Sequence, residues 1–209
     1  MPLSTSEQKP AGAQRVLLVG DFPPPHGGVA VHVEMLLKAI RLAGGEAEVL
    51  DIGKGQVPAE GVHPAGSYAA FAAQLASFAA RGWLIHVHTS GANPKSWLLA
   101  AACAVAGRAA GRPPLITLHS GLGPGWLESS PARRVLAGAL LRGFDMVVAV
   151  SEAIARMVQR CGVPSDRLLV APGAAFKYAP REDALWIAIA QRCASCKIVL
   201  TIFCGTTVV

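Results

Sequence analysis

The chain has 209 residues, 52% hydrophobic and 15% charged, which excludes a disordered chain and supplies ample material for a buried core. The net charge of +6 admits an anionic ligand or membrane face as readily as a mildly basic solvated surface. Its Lys and Arg are scattered, with no run interleaved by aromatics, so nucleic acid is the least favoured partner.

Residues 1–14 are polar and read as a flexible tail with no apolar signal core, which points to a cytoplasmic protein. Arg15–Gly20 is a continuous apolar run, the pattern of a parallel strand buried on both faces. From Gly28 the period becomes helical, with Val29, Val33, Leu36, Leu37 and Ile40 on one face, until Gly44 and Gly45 stop the helix. Glu46–Ile52 reads as a second strand and Gly53–Pro64 as a loop. Ser67 can cap a helix with Tyr68, Phe71, Leu75 and Phe78 inward, ended by Arg81-Gly82. Trp83–Val87 is a third strand.

Asn93-Pro94 then starts a helix running to about Ala110. Its nearly all-round apolar surface predicts deep burial. The apolar stretch Trp97–Gly107 is about half of the roughly 20 residues a membrane-spanning helix needs. Pro114–Leu118 is a fourth strand. Ser130-Pro131 opens a helix with Val135, Leu136, Ala139 and Leu140 inward and Gly143 as its stop. Met146–Val150 is a fifth strand, Ser151 caps a helix ending at Cys161-Gly162, and Arg167–Ala171 is a sixth strand.

Strand and helix thus alternate about six times with short connections. That predicts an α/β fold, a doubly wound, mostly parallel sheet with helices on both faces. Ligands of such sheets sit beyond the carboxyl ends of the strands, where the strand order switches. The ends to inspect are Gly20-Asp21, Ile52-Gly53, His88-Thr89-Ser90, His119-Ser120-Gly121, Ser151 and Pro172-Gly173. Four of these six carry a His or Ser or run into Gly, a polarity that a purely structural sheet does not need.

Gly27-Gly28 stands at a helix N-terminus, where free amides and the helix dipole favour phosphate. A plain turn into the helix is the other reading. Three prolines fill the loop, so it is not the GxGxxG of a dinucleotide site, and no GxxxxGK[ST] occurs. His119, at a strand end, is placed to donate a hydrogen bond or act as acid or base, or simply to pair with a backbone carbonyl. His86 and His88 are two apart and face one side of a strand. No carboxylate or Cys joins them locally, so they read as structural or pocket-lining rather than as metal ligands. Cys193 and Cys196 form a lone C-A-S-C without a second ligand pair, and the odd total of five Cys argues against a disulfide framework. No metal is expected.

Six segments in order carry a resemblance: RVLLVGDFPPPHGGVAVHV, EAEVLD, IHVHTS, ITLHSG, DMVVAVSEAI and DRLLVAPGA. They resemble the N-terminal, acceptor-side domain of family 4 glycosyltransferases of GT-B architecture, over roughly Arg15 to Phe176. The resemblance implies a Rossmann-like domain over 15–176. It also implies transfer of a sugar from a nucleotide-diphosphate sugar to a glycan, lipid-linked or small acceptor. Such transfer is usually with retention and needs no cofactor beyond the donor substrate. By match, Gly27 and Gly28 approach the donor's phosphate and sugar, His119 lies near the transferred sugar, and Ser151 is the serine of the V-x-V-S motif. Asp21, Ser90 and Ser120 complete the implied substrate contacts; Asp21 can bind a sugar hydroxyl or base, or cap its loop. The basic surface would suit a lipid-phosphate acceptor at the inner membrane face.

The family's donor-side features, a glycine-rich strand, a basic residue for the diphosphate and an E-x7-E pair, are not visible. Residues 177–209 read as a linker and the start of a missing or altered second domain. A non-catalytic Rossmann-like module binding a phosphorylated ligand or a partner chain therefore stays open beside the enzyme.

Overall fold

The structure, a computed structural model, describes residues 15–42, 44–55, 57–119 and 122–171. Pro172-Gly173, Ser120 and everything expected of residues 177–209 lie outside the described residues.

The described residues fold into seven strands and six α-helices, with one 3-10 turn at Ser165–Arg167. The strands are β1 (Arg15–Gly20), β2 (Glu46–Asp51), β3 (Val62–Pro64), β4 (Leu84–Thr89), β5 (Leu115–Leu118), β6 (Met146–Ala149) and β7 (Leu168–Val170). The helices are α1 (Gly28–Leu42), α2 (Tyr68–Ala80), α3 (Pro94–Ala109), α4 (Leu122–Glu128), α5 (Pro131–Leu141) and α6 (Glu152–Arg160). All strand pairs are parallel, in the order β3-β2-β1-β4-β5-β6-β7. This is the doubly wound, Rossmann-like sheet that the alternation predicts. The order reverses between β1 and β4, so the crevice for a ligand opens where Gly20-Asp21 faces Thr89-Ser90.

Alternation along the strands builds two cores. Leu17, Val19, Ile85, Val87 and Ile116 pack with Phe71, Leu75 and Phe78 of α2 and Cys103 of α3. Val16, Leu18, Leu84 and Leu115 face the other way, against Val33, Leu36, Leu37 and Ile40 of α1. Runs of β-branched and leucyl residues buried on both faces are what all-parallel sheets demand.

Several expectations need correction. The loop over 53–64 contains β3, whose register leads from Val49–Val62 to Asp51–Pro64. Three residues ending in proline carry no periodicity of their own; pairing with β2 makes the strand. The segment LGPGWLE forms α4 despite two glycines and a proline. Tertiary contacts hold it: Leu127 is wholly buried and Trp126 stacks on Trp97 at 6.4 Å.

Helix α5 turns away from most of its predicted face, of which Leu140 alone packs against the core. Val135 and Leu136 are 71% and 69% exposed, whereas Ala137, Gly138 and Leu141 are buried. Close approach selects the small side chains here, because a Cβ on Gly138 would lie 2.0 Å from the Cys161 carbonyl oxygen. Tyr68 is likewise exposed at the start of α2. Helix α3 is not deeply buried, since Leu98 and Val105 are exposed and the buried residues are Ala100, Cys103, Ala104 and Gly107. Among the described residues no helix is long and apolar enough to cross a membrane.

Candidate functional site

The strand ends meet a groove of about 1090 Å³ between α2 and α3. Apolar side chains form its walls, among them Phe71, Leu75, Leu98, Leu99 and Val105. Polar groups gather at the strand-end side: Asp21, His88, Thr89, Ser90 and Asn93. A largely apolar wall with a few converging polar groups is the usual make-up of a small-molecule site.

Beside the groove lies the loop from β1 to α1. Asp51, fully buried at the end of β2, shapes it: its Oδ1 accepts the Phe22 amide at 3.0 Å and the Gly53 amide at 2.8 Å. Gly27 precedes α1, and its carbonyl accepts the Val31 amide. Gly27 and Gly28 are exposed, with no atom near where a Cβ would stand. The Gly27 amide donates to the Pro25 carbonyl at 3.0 Å, whereas Gly28 opens α1, where the first amides of a helix lack an intrahelical acceptor and can meet an anion. Asp21 is exposed at the groove's edge, and partial desolvation together with the Asp51 carboxylate raises its carboxyl above the ordinary range.

The crevice holds four histidines. His86 and His88 lie on the α1 side of β4, with ring centroids 4.2 Å apart. His86 Nε2 meets Thr117 Oγ1 at 2.8 Å. His119 follows β5; its amide donates to the Thr89 carbonyl, and its Nε2 lies 3.1 Å from His88 Nδ1. Its ring partner is thus another imidazole rather than a backbone carbonyl. His32, from α1, sets its ring 5.3 Å from His88 and edge-on to His119 at 4.6 Å. Gly20 makes room, since a Cβ there would come within 3.0 Å of His88 Cβ.

Burial keeps the cluster uncharged. Desolvation lowers His32 to about 4; desolvation first and neighbouring imidazoles second lower His86 and His119 to about 3. His88 is pushed well below 6.5 for the same reasons. At neutral pH His119 is therefore a hydrogen-bonding group, not a proton-carrying acid.

Of the residues expected at the site, Asp21, Ser90 and His119 gather around the crevice, with Gly27-Gly28 on its β1–α1 loop. Ser90 Oγ accepts the Ala92 amide at 3.4 Å. Ser151 caps α6 by accepting the Ile154 amide at 3.3 Å, as predicted for a cap. His32 was not foreseen. The signal was present, because residues 32, 36 and 40 share one helical face, but histidine was not counted with the apolar stripe.

The sequence model of Glycosyltransferase Family 4 matches residues 26–174, well over half of the chain. The chain belongs to glycosyltransferase family 4. The matched span begins in the proline-glycine loop and covers all four crevice histidines and, Asp21 apart, the lining of the groove. No curated protein matches the chain significantly.

Proposed function

We propose that this family 4 chain takes part in moving a hexosyl group from a nucleotide-diphosphate sugar to a hydroxyl of a glycan, lipid-linked or small acceptor, with retention. The observation that carries the reading is the groove that ends on polar strand-end groups, within a domain of this family. The acceptor lies between α2 and α3. Apolar walls favour one with an apolar body, such as a lipid-linked intermediate, whose hydroxyl reaches Asp21 and Ser90. The net charge of +6 suits such an acceptor presented at the inner face of a membrane.

Transfer leaves negative charge on the departing diphosphate. The N-terminus of α1 at Gly28 stabilises it, with Gly27 letting the diphosphate approach the backbone, and fixed dipoles aimed at developing charge are a large catalytic contribution in general. Neutral His119 hydrogen-bonds a hydroxyl of the transferred sugar. Ser120 and Ser151 are the further proposed substrate contacts.

The test incubates the full chain with a panel of nucleotide-diphosphate sugars and acceptors and measures released nucleoside diphosphate and glycosylated product. His119→Ala is expected to cut turnover far more than it lowers the melting temperature. Equal losses of turnover and fold would make His119 structural. Nucleotide-sugar or phosphate binding with no transfer from any donor would sink the enzyme reading and leave a binding module.

A further inference from the structure

We propose that His32, His88 and His119 form a binding site for one divalent transition-metal ion, zinc by preference, with a fourth position left to water or a ligand. Helix α1, strand β4 and the end of β5 each deliver one imidazole, and one nitrogen from each lies within 4.8 Å of the others. The His88–His119 pair is already at 3.1 Å. Two imidazole nitrogens on one tetrahedral zinc stand about 3.3 Å apart, from bonds of about 2.0–2.1 Å. No pair needs to close by more than about 1.5 Å on that geometry.

The His88 nitrogen that faces His119 is Nδ1, so Nδ1 is the atom this ring offers the ion.

The donor set chooses the ion. Three imidazoles without a carboxylate suit zinc, copper, nickel or cobalt and not magnesium or calcium, which take oxygen ligands. His88 lines the groove, and three imidazoles leave the fourth position of a tetrahedral ion to water or a ligand. Occupied, the site withholds the His119 lone pair from a sugar, so zinc and that sugar contact are alternative states. The site itself does not depend on the transfer reaction.

The test uses the full chain stripped with EDTA and then freed of chelator. Cobalt(II) titration is expected to give the intense visible band of a tetrahedral site at one equivalent, and zinc to displace it. His32→Gln and His119→Gln, checked for fold by circular dichroism, should each weaken binding at least about tenfold. Cys193→Ser/Cys196→Ser should leave it unchanged. X-ray absorption of the zinc-loaded wild type provides a readout independent of the variants and should show imidazole scattering from three histidines. No uptake, a band that persists in both histidine variants, or sulfur in the coordination shell would each overturn the site and leave a hydrogen-bonded histidine cluster.

Discussion

Gly138→Ala sets two effects of opposite sign against each other. In the interior of an ordinary helix, alanine for glycine gains up to about 1 kcal/mol from propensity. Gly138 lies in α5, where α5 presses on the end of α6. The new Cβ would stand 2.0 Å from the Cys161 oxygen and 3.1 Å from its carbonyl carbon. Ordinary contact needs about 3.5 Å, so the Cys161 carbonyl must retreat by about 1.5 Å. It is not free to do so, because the Cys161 amide bonds the Met157 carbonyl and Met157, Val158 and Val163 are all buried. Overpacking of a fixed neighbour costs about 1–3 kcal/mol, and with the backbone as obstacle the upper end applies. The net expectation is a loss of about 2 kcal/mol, or roughly 4–8 °C in melting temperature for a domain of this size. Urea denaturation followed by circular dichroism measures it. Gly125→Ala in α4 is the control, since nothing lies near its would-be Cβ, and it should be neutral or up to about 1 kcal/mol stabilising. If Gly138→Ala proves as stable as the wild type, the packing argument for α5 is refuted.

Two further outcomes follow from the crevice. In EDTA, the buried histidines should make the domain acid-labile. Above pH 6.5 they are neutral folded or unfolded. Below it the unfolded chain gains protons, while His32 resists to about 4 and His86 and His119 to about 3. Stability is therefore complete above about pH 6.5 and falls as pH drops, by about 2 kcal/mol per fully buried ring at pH 5. A urea midpoint that stays level from pH 7 to 5 would contradict this. Asp51→Ala should cost about 2 kcal/mol by leaving the Phe22 and Gly53 amides without their acceptor, and Asp51→Asn should recover most of it. Equal losses in both would assign the effect to charge rather than to the acceptor oxygen.

The strands were legible because burial on both faces leaves continuous apolar runs, and Gly44 and Gly82, at positive φ, marked two helix ends. The site's location followed from the strand order, and His88, His119 and Asp21 were visible as strand-end polar residues. What sequence could not supply was set by packing. Strand β3 exists through its pairing with β2, and α4 through Leu127 and Trp126. The faces of α3 and α5 are decided by small residues that allow close approach, so counting large apolar side chains chose the wrong stripe. His32 joins His88 and His119 only through the docking of α1, a relation no local spacing records.

Asp51 has a mechanical consequence. One carboxylate oxygen fastens the loop leaving β1 and the loop leaving β2 at a shared point. The two loops are thereby geared together. A ligand that draws the glycine turn inward also pulls the segment leading to β3, so the sheet's edge registers an event at its centre. Amide exchange at Phe22 and Gly53 should then slow or quicken in step.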